Sequence, residues 1–174
     1  MSWSDTRRAR AFLAVSLLVG SAALLQGCQV RPLYASGPNS PEPKLASISV
    51  GEVGTRVAQQ VRNHLIFLLD RGGAEPVNPA YSLTLSVSEA AIGFFIDAAG
   101  DAPTAGKMKV TAAYVLKDAK TGKVLKAGSR IAVAGYDLPP QEFTKIRAIR
   151  DAENRAAIAA AELVDADLAG FLAR

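Results

Sequence analysis

The sequence predicts an α+β fold, a mostly antiparallel four-stranded sheet covered on one face by two helices in the order β-α-β-β-β-α. Three observations lead there. Residues 81–88 and 107–117 alternate apolar and polar side chains, the pattern of strands with one buried face. Val57, Val61, Leu65 and Leu68 recur at helical spacing. Residues 141–173 are rich in alanine and free of proline, a composition that favours a long helix. Two helices and a one-sided sheet bury each other's apolar faces, so layering them is the natural packing.

Taken in order, the first predicted strand covers 44–50, with Ile48 and Val50 on one face. Thr55 is a candidate N-cap for a helix running to about Arg71, closed by Gly72-Gly73. Its stripe is Val57, Val61, Leu65 and Leu68, flanked by Ala58 and Leu69. Tyr81, Leu83, Leu85 and Val87 face inward on the next strand, which continues toward Phe94-Phe95-Ile96 with a bend at Gly93. Residues 98–106 read as a loop. Met108, Val110, Ala112, Tyr114 and Leu116 are the inward set of the third strand. A turn over 118–122 leads to a fourth strand from Lys123 to Val133, in which Gly128 suggests a bulge. Short connections make these three strands a meander. Pro139-Pro140 stops the sheet. The last helix is expected to turn a stripe of Ile146, Ile149, Ala152, Ala156 and Leu163 inward, and Leu83, Leu85, Val110 and Leu116 should lie beneath the helices.

The chain has 174 residues, one cysteine and one histidine, so no intrachain disulfide can form and a Cys/His zinc site lacks ligands. Residues 1–27 carry three arginines against one aspartate, and the rest has 17 basic and 15 acidic residues. That balance argues against a nucleic-acid partner, which would select a basic stripe. Met1 to Arg10 is basic, Ala11 to Leu25 is an uncharged apolar run, and Gln26-Gly27-Cys28 follows. The run is shorter than the roughly 20 residues of a membrane-spanning helix, and its order is that of a secretory signal peptide. Leu25-Gln26-Gly27-Cys28 resembles the bacterial lipobox, although Gln26 stands where a small residue is usual. The expected organisation is a lipoprotein signal peptide over 1–27, a proline-rich tether over 28–43 behind a lipidated Cys28, and one periplasmic domain over 44–174. Gln29 is not the aspartate that retains lipoproteins in the inner membrane, so the resemblance implies the outer membrane. The attached acyl chains, palmitate among them, would anchor the protein durably.

Gly27-Cys28-Gln29-Val30-Arg31-Pro32-Leu33-Tyr34 resembles the mature start of the LPS-assembly lipoproteins, the LptE family. Gln60-Val61-Arg62-Asn63-His64-Leu65, Ala80-Tyr81-Ser82-Leu83, Ala113-Tyr114-Val115-Leu116-Lys117-Asp118 with Thr121-Gly122-Lys123-Val124-Leu125, and Asp151-Ala152-Glu153-Asn154-Arg155-Ala156 extend the likeness across the mature chain in order. Gln141-Glu142-Phe143-Thr144 departs from it, standing where the family commonly shows Ser-x-Tyr-Ala. The resemblance implies a protein that plugs and helps assemble the LptD β-barrel translocon, binds lipopolysaccharide during its insertion into the outer leaflet, and has neither catalytic residues nor a cofactor. The alternatives are an unrelated outer-membrane lipoprotein that binds peptidoglycan or another envelope polymer, and a secreted hydrolase dependent on His64.

Few residues suggest catalysis. His64 has no Ser or Asp partner legible in the sequence, Thr121-Gly122-Lys123 fails the phosphate-loop pattern, and Asp151 and Glu153 are two apart on a helix and do not face each other. The candidate ligand site is a basic hairpin, Lys107, Lys109, Lys120, Lys123 and Arg130, with Lys117 and Lys126 nearby. Clustered ammonium and guanidinium groups suit the phosphates of lipopolysaccharide. The competing reading is a solvated sheet face whose lysines discourage strand addition.

Overall fold

A computed structural model describes residues 40–73, 75–96 and 103–173. The signal peptide, Cys28 and the tether up to residue 39 lie outside the described residues. Three helices and four strands follow one another as α1 (Glu42–Leu45), β1 (Ile48–Val50), α2 (Arg56–Leu69), β2 (Tyr81–Ile96), β3 (Pro103–Asp118), β4 (Val124–Asp137) and α3 (Glu142–Leu172). The sheet order is β1-β2-β3-β4. β1 runs parallel to β2, with Ile48 opposite Tyr81, and the other two pairings are antiparallel. This is the α+β architecture expected, with α2 packed over β1 and β2 and α3 over β3 and β4.

The core follows the alternation. Leu83, Leu85, Val110 and Leu116 are buried, as are Met108, Ala112 and Tyr114. Thr55 caps α2 through its side chain, which accepts from the Ala58 N–H at 3.2 Å. Beyond the last turn Arg71 and Gly72 take positive φ, and the Gly72 N–H returns to the Phe67 carbonyl. Leu69 rather than Leu68 completes the buried stripe of α2.

Four expectations are corrected. Residues 42–45 form a helical turn where a tether and the start of a strand were expected. Pro43 sits in the first turn, where a missing N–H costs nothing, and Pro41 is buried beneath it. β3 begins at Pro103, inside the expected loop, because residues 103–106 pair with both Ile96–Gly106 neighbours on β2 and the end of β4. Gly128 is not a bulge. It lies directly opposite Tyr114, and a Cβ there would stand 2.7 Å from the tyrosine hydroxyl. Tyr136 occupies the space over Gly106 in the same way, so two rings fill what two glycines leave open. Finally, Ile146 and Leu163 are each 43% exposed, and the buried face of α3 is made of Ala152, Ala156, Ala157, Ala160, Ala161, Val164 and Leu168. Alanine at these positions lets the helix axis lie close to the sheet. The bend at Gly93 is present, with positive φ and a register shift between Ile92 and Phe94.

Lengths explain what is left uncovered. The 14 residues of α2 span about 21 Å, whereas the 16 residues of β2 span roughly 53 Å. β2 is therefore covered only near its start, and Glu89, Ala90 and Ala91 are exposed. α3 runs antiparallel to β4 but is offset from it. Arg155 reaches the Gly135 carbonyl at 2.7 Å, so the thirteen residues before it rise past the last pairs of β4. The molecule has a root, where Lys44 Nζ donates to the Leu172 carbonyl at 2.8 Å, and a tip at the other end of the sheet, formed by the β2–β3 hairpin and the start of α3.

Candidate functional site

The structure divides the predicted basic hairpin among three places. Lys107 and Lys109 lie near the tip, on the sheet face away from the helices, opposite Gly135 and Val133 of β4. Lys117 shares that face but pairs with Val124 and Ser82, at the root. Lys120 and Lys123 are in the β3–β4 turn, also at the root. Ten residues along β3 separate Lys107 from Lys117, about 33 Å at strand rise. One ligand headgroup does not bridge that distance.

The root turn is built by Asp118. Its carboxylate accepts from the N–H groups of Lys120 and Thr121 and from the Thr121 hydroxyl, at 2.8–3.1 Å. These bonds, those of Thr121 foremost, hold the carboxyl below the ordinary aspartate range. Gly122 supplies the positive φ that closes the turn.

Arg130 and Lys126 stand on the opposite face, against α3. Arg130 pairs in register with Ala112 and Lys126 with Leu116, both buried. Their charges converge on Asp167 of α3, whose carboxylate takes Lys126 Nζ at 2.9 Å and Arg130 Nη2 at 2.6 Å. The Tyr114 hydroxyl donates to the same carboxylate, and the Phe171 ring lies 5.5 Å from Lys126 Nζ. Burial pushes the Tyr114 phenol up, and its hydrogen bond to Asp167 adds to the shift. Burial also works against ionising Asp167, but the hydrogen bonds from Lys126 and Tyr114 and the Arg130 charge outweigh it and hold the carboxyl below its usual range. This four-residue knot fastens α3 to β3 and β4. The sequence carried a sign of it: Lys126 and Arg130 have the same parity as Ala132, Ala134 and Tyr136, the covered set of β4.

The residues weighed for catalysis serve the packing of the helices. His64 lies between α2 and α3, its Nε2 3.8 Å from Glu162 Oε1 and its ring stacked on Phe67. Glu153 and Asn154 receive Arg56 of α2, and Asp151 pairs with Arg155 one turn on. Among the described residues no three His, Cys, Asp or Glu side chains gather as a metal site, and no helix is long and apolar enough to cross a membrane.

Two surfaces remain open among the described residues. One is the outer sheet face, a field of small and β-branched side chains. Thr84, Ser86, Ser88 and Ala90 of β2 lie beside Val115, Ala113, Thr111 and Lys109 of β3, and Ser129, Ile131 and Val133 of β4 complete it. Ile131 is 57% and Val133 50% exposed. The other is the start of α3, where Phe143 is 71% exposed.

No protein-family model and no curated protein matches the chain. Solved structures do. A protein classed as a lipoprotein from Caulobacter crescentus CB15 superposes with a TM-score of 0.64 at 28% identity, over 79% of this chain and 98% of its own. Rare lipoprotein B from Shewanella oneidensis gives 0.53 at 14% identity, over 71% and 92%. A minor lipoprotein from Acinetobacter baumannii gives 0.51 at 11%, over 71% and 88%. The chain has a lipoprotein fold. The match to the Caulobacter protein uses nearly all of that chain, so the α+β domain is a complete folding unit there without an equivalent of the remaining residues here.

Proposed function

We propose that this protein is an outer-membrane lipoprotein, anchored through Cys28, that occupies and helps assemble the lipopolysaccharide-translocating β-barrel LptD and binds lipopolysaccharide in transit. It works by contact and not by catalysis. The observation that carries the reading is the outer sheet face. Small hydroxyl and methyl side chains across three long strands let another surface approach closely over a wide area. The inner wall of a large membrane barrel is polar, and a face of serine and threonine can exchange hydrogen bonds with such a wall. Isolated ligand pockets are instead concave and mostly apolar. The family resemblance and the fold shared with solved lipoproteins support the same reading. Lys107 and Lys109, at the tip of this face, are the lysines of the predicted site that remain suited to meeting phosphates, and Lys120 and Lys123 lie at the root. Arg130 belongs to the Asp167 knot.

Affinity capture of the tagged mature protein from detergent-solubilised outer membrane tests this. A large β-barrel protein should co-purify in near-equal amount, and mass spectrometry should find acyl chains on Cys28. Retention on peptidoglycan with no barrel present would favour the envelope-polymer alternative.

A further inference from the structure

We infer that the first turns of α3 form a lipopolysaccharide-binding stripe, with Arg147 and Arg150 holding phosphates and Phe143 and Ile146 meeting the apolar part of the same molecule. The inference rests on the lipopolysaccharide reading above and gives that ligand a site distinct from the predicted lysines. Phe143, Ile146, Arg147 and Arg150 are spaced i, i+3, i+4 and i+7, so they form one line along the helix. The line is turned away from Ala152 and Ala156, the first positions of α3 to reach the core. Together they line an open groove that also includes Asp151 and Asn154.

The charge of this stripe is unbalanced. Arg155 holds Asp151 at 2.7 Å, and Glu142 faces Lys145 at 3.8 Å. The Arg147 guanidinium lies 5.7 Å from the centre of the Phe143 ring, and no carboxylate among the described residues pairs with Arg147 or Arg150. Guanidinium groups left without carboxylates, beside an exposed ring and an aliphatic side chain, complement an amphiphile that carries phosphates next to acyl chains. Arginine suits that role because its planar fork can grip two phosphate oxygens at once. The placement also fits. α3 is about 46 Å long, and the stripe is at the end remote from Leu172, beside which the chain joins the domain. A ligand carried away from the anchored leaflet would meet the tip and not the root. The tip is also where Lys107 and Lys109 lie, on the other layer.

The experiment titrates purified lipopolysaccharide into the polypeptide of residues 36–174, whose core is self-contained. Wild type should bind. Arg147→Glu with Arg150→Glu should raise the Kd at least about tenfold, since each cation near an anionic lipid contributes a few-fold, and Phe143→Ser should raise it by a smaller factor. Because all three side chains are exposed, the Tm should hold, and Arg147→Gln with Arg150→Gln provides a second variant if the reversal disturbs folding. Lys120→Glu with Lys123→Glu, at the root, should bind as wild type does. If wild type binds and both arginine variants bind equally well, the stripe is not the site, although the lipopolysaccharide reading survives. If wild type fails to bind lipopolysaccharide at all, both fall. If the arginine variants lose only binding to phosphatidylglycerol vesicles, the stripe is a bilayer contact and the inference is overturned.

Discussion

The two ends of this domain are built from different materials. At the root, three layers meet and large side chains fill the space between them: Leu45, Leu65, Leu69, Leu83, Leu116 and Leu168 are all buried. Toward the tip the interior thins to Ala132, Ala134, Ala152 and Ala156, with two tyrosine rings laid over glycines. Beyond those, Phe143 and Ile146 have no layer beneath them. Apolar burial contributes in proportion to the area removed from water, so stability is concentrated at the root. The tip is left with polar, aromatic and charged groups facing outward. A protein that must hold its shape at one end and engage a partner at the other can divide the tasks in this way.

Substitutions can test that division. The largest effect is expected at the root, where Leu116→Ala should lower unfolding free energy by about 2–5 kcal/mol, as large-to-small changes in filled cores do. Denaturant unfolding measures it, and a loss under half that range would show the root to be loosely packed. An intermediate effect is expected at the boundary between the ends. Asp167→Asn removes the charge that gathers Lys126, Arg130 and Tyr114, and should cost about 1.5–3 kcal/mol. The sign with pH follows from the lowered Asp167 pKa. The contribution is present above the unfolded value of about 3.9 and is lost as pH falls through the lower folded value. The gap between wild type and variant should therefore be full at pH 7 and close in acid. A gap that persisted unchanged to pH 2 would separate the knot from Asp167 ionisation. The smallest effect belongs to the tip. Ile146→Ser should change stability by less than about 0.5 kcal/mol, as exposed substitutions usually do. A loss above 1 kcal/mol by thermal unfolding would mean that something covers the start of α3.

The strand faces, the Thr55 cap, the Gly72 stop and the Gly93 bend could be read from the chain because each depends on neighbours within a few residues. Period-two alternation places Leu83, Leu85, Val110 and Leu116 together whatever packs above them. The same local logic failed where the deciding partner was distant in sequence. Gly128 looked like a bulge because nothing near it announced the Tyr114 ring, which reaches it only through strand pairing. Lys126 and Arg130 looked like members of a surface cluster because sequence proximity joined them to Lys120 and Lys123, whereas the pleat turns them to the opposite face and Asp167 lies 37 residues beyond Arg130.

The sequence by itself determined which side chains face inward, where α2 begins and ends, and that α3 is one long helix, since periodicity and capping are properties of short stretches. It also contained the departure at Gln141-Glu142-Phe143-Thr144 without showing its use. Only the tertiary structure decided how far α3 slides along β4, because that offset is set by contacts such as Arg155 with Gly135 and Asp167 with Lys126 and Arg130, made between residues far apart in the chain. That slide buries Ala152 and leaves Phe143, Ile146, Arg147 and Arg150 beyond the core. Helical spacing alone cannot distinguish a covered turn from a free one, because both have the same period.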